Sequence, residues 1–208
     1  PWRNIRGTSG QPLPQTEFQV IDPETGLNKN FYQKGLVMVR GPQVMNGYLG
    51  NQVATNKVLD RDRWFNTGDL GMLLPDGSVV LTGRDKDTIV LSSGENIEPA
   101  PLETALVASS LIEQVMIVGQ DQKHLAALVV PKKEALISWA NEQGLNLQED
   151  LKGSIEYSDL RKLLRRKINH LLSSRSGSRN DERVIDVAIV EPFTIENGLL
   201  TQTLKQRR

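Results

Sequence analysis

Residues 83–103, GRDKDTIVLSSGENIEPAPLE, constrain the fold more than any other part of the chain. A short apolar strand is predicted over residues 88–91, followed by a Ser-Ser-Gly-Glu-Asn turn and a returning strand through Ile97. Pro99 and Pro101 then favour the first turn of a helix, where amide groups have no partner within the helix. The stretch therefore predicts a hairpin that leads directly into a helix.

Residues 7–82 have the pattern of a β-rich segment. Strands are predicted over residues 17–22 and 36–40, and a turn of Pro75, Asp76 and Gly77 joins two further apolar segments. A short helix is predicted over residues 52–59, with Asn51 as its N-cap. The β-rich segment is expected to end at Gly83.

The second part of the chain mixes helices and strands. Residues 157–172 are the clearest helix, because six apolar side chains recur at helical spacing. These are Leu160, Leu163, Leu164, Ile168, Leu171 and Leu172. Helices are also predicted over residues 99–109 and 132–141. An antiparallel pair of strands is predicted over residues 114–118 and 125–130, and a further strand over residues 184–190. The predicted fold class is α+β, divided into residues 1–82 and 83–208.

Composition excludes several kinds of site. The 208 residues contain no cysteine and only two histidines, which rules out disulfides, thiolate metal sites and multi-histidine metal sites. The net charge is zero, so no nucleic acid partner is indicated. The apolar runs are too short to span a bilayer and no signal peptide pattern is present, which predicts a cytoplasmic location, with or without peripheral contact to a membrane.

Two features of the first half could bind a nucleotide. Asp69 lies where a carboxylate can accept hydrogen bonds from sugar hydroxyls, although an aspartate in a turn commonly accepts from nearby amides. The run Arg84, Asp85 and Lys86 suits phosphate or ribose, although a charged run is usually a solvated surface.

Three later features could also contact a ligand or a partner. The turn Ser93-Gly94-Glu95-Asn96 exposes amides that can face an anion or a narrow ligand, or it is an ordinary hairpin turn. Lys205 lies in a basic tail of the kind that commonly frays. One face of the 157–172 helix is basic and is either solvated or a contact surface. Its residues are Arg161, Lys162, Arg165, Arg166 and Lys167.

Taken together and in order, these features resemble the last third of the acyl-adenylate-forming enzymes. The similar segments are GQPLP (10–14), DPETG (22–26), VRGP (39–42), NGY (46–48), WFNTGD (64–69), the 83–103 stretch with Glu103, and ENGLLTQTLK (196–205). The closing segment resembles the long-chain fatty acid branch, which transfers acyl groups to coenzyme A or acyl carrier protein.

The resemblance implies a role for each candidate. The family uses MgATP to convert a carboxylate to an acyl-AMP and then transfers the acyl group to a thiol. Asp69 and Arg84 match residues that bind the ribose, and Lys86 matches a hinge. The turn Ser93-Gly94-Glu95-Asn96 matches the loop beside the phosphopantetheine channel. Lys205 matches the catalytic lysine of the adenylation step.

Other segments of the family pattern are altered or absent. Lys34-Gly35-Leu36 replaces the usual Gly-Glu before a strand, Leu204 replaces the glycine that often precedes the lysine, and no Ser/Thr/Gly-rich phosphate loop occurs. The chain is therefore expected to be a C-terminal portion that is inactive alone. Residues 1–82 would be the β-rich end of a large domain, and residues 83–208 a small mobile domain.

A rival interpretation is a stand-alone binding module that docks an acidic partner through its basic helix. Within the enzyme interpretation, Arg161, Lys162, Arg165 and Arg166 are candidates to contact carrier protein, coenzyme A phosphates or anionic lipid headgroups. Acyl chain length, the thiol acceptor and oligomeric state are left open by the sequence.

Overall fold

A computed structural model describes residues 5, 7–147, 157–203 and 205–207. The chain forms two compact units, Pro1–Lys86 and Asp87–Arg208. The boundary predicted from sequence, at Gly83, lies just before this division. Each unit is described by itself below.

The first unit contains a four-stranded antiparallel sheet with its strands in chain order. The strands are β1 (Glu17–Ile21), β2 (Lys34–Arg40), β3 (Phe65–Leu73) and β4 (Val79–Arg84). Helix α1 (Gln52–Val58) follows β2, and the Ala54 amide donates to Oδ1 of Asn51 at 2.9 Å, which confirms the predicted cap. The turn between β3 and β4 is also confirmed, with Gly77 at φ 84° and its amide donating to the Leu74 carbonyl.

The core of the first unit is small. Its buried cluster consists of Val20, Val37 and Val79, with partly buried side chains packed around them. Leu36, Met38, Leu59 and Leu70 are also buried, whereas other large apolar side chains of the unit are exposed. The exposed ones are Ile5, Leu13, Leu27, Phe31, Tyr32, Tyr48, Leu49, Val53 and Leu81. Because buried apolar area is the main favourable term in folding, this unit has a weaker core than the second unit, whose buried cluster is much larger.

The second unit begins with the predicted hairpin and helix. Its elements are β5 (Ile89–Val90), β6 (Asn96–Ile97), α2 (Pro99–Val107), β7 (Ile112–Val118), β8 (Leu125–Pro131), α3 (Lys133–Glu142), α4 (Tyr157–Ser173) and β9 (Val184–Ile189). Gly94 has φ 87° at the tip of the hairpin, a left-handed conformation that glycine adopts without steric cost. The connection between α3 and α4 lies partly outside the described residues.

The main sheet of this unit has the order β7-β8-β9. The predicted antiparallel pair, β7 with β8, is confirmed. Strand β9 pairs with β8 in parallel, so the α+β class is confirmed but the sheet is mixed rather than antiparallel throughout. The connection explains the difference, because the chain passes through α3 and α4 between β8 and β9, and a helical crossover returns a strand in the parallel direction.

Both faces of this sheet are covered. On one face, α2 packs beside β7 and α4 beside β9, and the predicted stripe on α4 is buried at Leu160, Leu164, Ile168 and Leu172. Burial of each of these four side chains contributes about 1.5–3 kcal/mol to stability. A separate cluster buries Met116, Val130 and Phe193, with Leu199 and Leu200 packed against it. The C-terminal segment therefore belongs to the packed structure of this unit.

Side chains from α4 cover the outer edge of β9. Arg161 Nε donates to the Val187 carbonyl at 2.6 Å, and Arg165 Nη1 donates to the Ile185 carbonyl at 2.9 Å. One turn further along, Asn169 exchanges two hydrogen bonds with the backbone of Val184. An edge strand carries backbone groups that no further strand pairs, so this row of side chains satisfies part of that edge.

Candidate functional site

Asp69 and Arg84 occupy paired positions on β3 and β4. Arg84 Nε donates to Asp69 Oδ1 at 2.9 Å, and the two side chains are 40% and 32% exposed. Nearby amides have other acceptors, because Gly68 N donates to Asn66 Oδ1 and Asp69 N donates to Thr67 Oγ1. A carboxylate and a guanidinium each have capacity beyond one hydrogen bond, so the pair can also bind sugar hydroxyls.

Lys86 lies at the division between the two compact units. It is exposed and forms part of a short 3-10 turn, Asp85–Asp87, directly after β4. An exposed residue at the end of an element can change its backbone angles without disturbing a core. This position is compatible with the predicted hinge, which remains a prediction.

The turn Ser93-Gly94-Glu95-Asn96 is exposed at the tip of the β5-β6 hairpin. Leu91 N donates to the Glu95 carbonyl, and Gly94 N donates to the Leu91 carbonyl at 2.8 Å. A Cβ built on Gly94 would meet no heavy atom within 4 Å. The left-handed backbone, and not crowding within the chain, is therefore what requires glycine here.

The segment that carries Lys205 is anchored on the sheet. Phe193 is buried, and its backbone exchanges two hydrogen bonds with the side chain of Gln114. Further along, Gln206 Nε2 donates to the Val115 carbonyl at 2.9 Å, and Leu200 and Gln206 form an isolated bridge. The tail is thus a docked turn and not the frayed terminus that its composition allows.

Lys205 lies in this turn with an exposed side chain. Its amide donates to Thr201 Oγ1 at 3.0 Å, and no partner for its ammonium is found among the described residues. Earlier in the segment, the Glu196 carboxyl accepts hydrogen bonds from the Glu196 backbone amide and from the Thr194 side chain, and these hold its pKa below the usual value. The backbone is therefore fixed locally, while the Lys205 ammonium faces solvent.

The basic face of α4 is partly engaged within the chain. Besides the β9 contacts of Arg161 and Arg165, Arg161 Nη2 pairs with Asp186 at 2.5 Å and Lys162 pairs with Asp159 at 2.9 Å. Arg166 is exposed. Two of the predicted contact residues thus stabilise the sheet edge, which leaves Lys162 and Arg166 as the more accessible cations.

Residues 86–157 match a family model described as the AMP-binding enzyme C-terminal domain. The match begins one residue before the second unit and covers the first part of that unit. The matched range of the AMP-binding enzyme C-terminal domain includes Lys86 and the hairpin turn, whereas Asp69, Arg84 and Lys205 lie outside it.

Curated relatives extend the similarity along the chain. "Probable acyl-activating enzyme 16, chloroplastic" of Arabidopsis thaliana is 43% identical over 99% of this chain. "Long-chain-fatty-acid--[acyl-carrier-protein] ligase AEE15, chloroplastic" of the same organism is 42% identical, also over 99%. The chain spans 29% and 27% of these two proteins.

Solved structures agree with the fold. The A-PCP didomain of carboxylic acid reductase from Segniliparus rugosus, in complex with AMP, superposes with a TM-score of 0.74 and 27% identity. The match covers 92% of this chain and 25% of that one. The similarity therefore includes residues on both sides of the AMP-binding enzyme C-terminal domain match.

The described residues contain neither a metal-binding cluster nor a membrane-spanning helix. No group of three or more His, Asp or Glu side chains that could hold a metal ion occurs in the described ranges. Among the helices described, none is long and apolar enough to cross a membrane.

Several residues that shape the candidate site were not predicted. Phe193, Gln114 and Gln206 anchor the Lys205 segment, and Arg179 contacts the hairpin. Their contacts join residues far apart in sequence, so no local spacing indicates them. Only the apolar character of Phe193 beside the end of β9 was a usable signal.

Proposed function

We propose that this chain is the C-terminal portion of an ATP-dependent ligase that activates long-chain fatty acids. The observation that carries the proposal is the 42–43% identity over 99% of the chain to an acyl-activating enzyme and a long-chain acyl-carrier-protein ligase. The small core and exposed apolar side chains of the first unit also support a portion that packs against a larger domain.

In the proposed first step, an oxygen of the fatty acid carboxylate attacks the α-phosphorus of ATP and pyrophosphate leaves. Asp69 and Arg84 bind the ribose, for which their partial exposure and mutual hydrogen bond are suited. The Lys205 ammonium lies beside the carboxylate and α-phosphate oxygens, where it offsets their repulsion and stabilises the developing charge. The docked turn fixes the backbone that carries this ammonium.

In the proposed second step, a thiol attacks the acyl carbonyl of acyl-AMP and AMP leaves. A backbone change at Lys86 brings the second unit into a pose in which the turn Ser93-Gly94-Glu95-Asn96 lies beside the thiol arm. The arm is phosphopantetheine, which coenzyme A and acyl carrier protein share. When bound, Mg²⁺ would neutralise phosphate charge, but the described residues contain no ligand cluster that fits it, and we assign it to no residue.

The test is an assay of the full-length protein that contains this chain. Hexadecanoic acid, MgATP and either coenzyme A or holo acyl carrier protein are supplied in parallel reactions. We expect fatty-acid-dependent AMP formation and a thioester with at least one acceptor. Absence of fatty-acid-dependent AMP formation with both acceptors would contradict the proposal. The isolated chain should form no acyl-AMP, since it lacks the phosphate-loop sequence.

The accessible cations of α4 provide a test of the acceptor. If an acidic carrier protein docks on this face, Lys162→Glu with Arg166→Glu should weaken transfer to carrier protein far more than transfer to coenzyme A. Equal effects on both acceptors would remove this role for the helix. Lys57→Glu, a basic residue exposed on α1, is the matched control for a general effect of charge.

A further inference from the structure

The β5-β6 hairpin, which carries the turn Ser93-Gly94-Glu95-Asn96, is too small to be stable by itself. Strands β5 and β6 contain two residues each, and the residues from Ser92 to Asn96 are exposed. A two-stranded hairpin is marginally stable at best in water, even when its strands are longer than these. Its position is therefore set by the rest of the unit: Ile89, Leu91 and Ile97 are buried in the main core, and further contacts lie along the outer edges of the hairpin.

The β5 edge is held by the loop that connects β7 and β8. Val90 exchanges two hydrogen bonds with this loop: its carbonyl accepts from Asp121 N at 2.9 Å, and its amide donates to Gln120 Oε1 at 3.1 Å. Ser92 N donates to the Gln122 carbonyl at 2.9 Å. This edge is thus held by the loop between β7 and β8.

The β6 edge is held from a different part of the chain. Arg179, in the loop between α4 and β9, donates from Nη2 to the Asn96 carbonyl at 2.8 Å. The two residues are 83 positions apart in sequence. The contact reaches the last residue of the candidate turn, where the chain returns into the sheet.

The guanidinium of Arg179 is itself held in place. It pairs with Asp181 at 3.0 Å and lies 3.8 Å from Glu182, whose carboxylate also accepts from the Arg179 amide and pairs with Arg175. Two arginines thus face two carboxylates, so the cluster has no net charge. Because the charge is compensated, the cluster is suited to positioning the hairpin and not to binding an anion.

We infer that Arg179 is a positioning residue for the thiol-transfer step, through its hydrogen bond to the Asn96 carbonyl. The inference rests on the proposed function, since it assigns the hairpin turn to the second half-reaction. In that half-reaction the turn must lie at a fixed distance from the thiol arm, and Arg179 fixes the β6 side of the turn. The first half-reaction depends on Asp69, Arg84 and Lys205, which make no described contact with Arg179.

The experiment compares the two half-reactions in the full-length enzyme. We expect Arg179→Met to slow acyl transfer from supplied acyl-AMP by about ten- to a hundredfold, the range for one hydrogen bond to a charged group, while acyl-AMP formation changes less than about twofold. Arg179→Lys, which keeps a charged donor, should restore part of the transfer rate. Unchanged transfer in Arg179→Met, or an equal loss in both half-reactions, would overturn the inference.

Arg183→Met is the matched control, because Arg183 lies in the same loop with an exposed side chain that makes no ion pair among the described residues. It should leave both half-reactions unchanged.

A second measurement does not depend on ligase activity. Amide hydrogen exchange at Leu91 and Gly94 should accelerate in Arg179→Met and not in Arg183→Met. If the full-length protein forms no acyl-AMP, the proposed function fails. The exchange rates of Leu91 and Gly94 still decide whether Arg179 stabilises the hairpin. Unchanged exchange rates at Leu91 and Gly94 in Arg179→Met would by themselves contradict a stabilising role of Arg179.

Discussion

Phe193 is expected to determine whether the segment that carries Lys205 stays docked. Its side chain is only 2% exposed and lies in the cluster with Met116 and Val130. Truncation of a buried phenylalanine to alanine costs about 3–5 kcal/mol. Since 1.36 kcal/mol corresponds to about tenfold, Phe193→Ala should raise the opening equilibrium of the segment by at least about a hundredfold.

Native-state hydrogen exchange on this chain measures that opening. The amides of Leu200 and Arg207 donate to carbonyls of the same segment, so their exchange reports its docking. They should exchange at least about a hundredfold faster in Phe193→Ala, whereas amides of α4 should keep their rates. Ile195→Ala is the matched control, because Ile195 is in the same segment and 45% exposed. Unchanged exchange at Leu200 and Arg207 in Phe193→Ala would refute the reasoning.

Two further predictions concern turns. Gly94→Ala should cost about 1–2 kcal/mol in urea unfolding, because φ 87° is left-handed while space is open around it. Gly144→Ala, with φ 89° and equally open surroundings, should cost as much, but only Gly94→Ala should also impair acyl transfer. In the first unit, the Lys29 ammonium and the amides of the turn hold the pKa of the Asp22 carboxyl well below 3.8. Because the folded pKa is lowered, this contribution is present above about pH 3.8 and is lost as the pH falls towards the folded value. Asp22→Asn should therefore lower the free energy of unfolding at pH 7 relative to the wild type, and urea unfolding should show this difference shrinking as the pH falls. A difference that does not change with pH would contradict the prediction.

The local elements could be predicted from sequence because their signals are local. The stripe on α4, the Asn51 cap and the Gly77 and Gly94 turns are each encoded within a few residues, and the structure confirms them. Asp69 and Arg84 were separate candidates, and the pairing of β3 with β4 brings them into contact. Strand pairing of this kind follows from the predicted hairpin.

The remaining features depend on contacts between distant residues. The parallel pairing of β9 follows from the whole crossover through α3 and α4, and not from the sequence of β9. Arg161 and Arg165 read as an ordinary charged face, yet they donate to backbone carbonyls of β9. A side chain that satisfies a distant backbone group has no periodic signature, so only the folded arrangement reveals it.

We propose that Lys205 acts in acyl-AMP formation and not in acyl transfer. The decisive measurement is the rate of each half-reaction in the full-length enzyme with Lys205→Ala, using Arg207→Ala as the control for a neighbouring exposed cation. Loss of one preorganised charged donor, about 3 kcal/mol, predicts an adenylation rate reduced about a hundredfold or more, with transfer from supplied acyl-AMP retained. An equal loss in both half-reactions, or an equal effect of Arg207→Ala, would contradict the account.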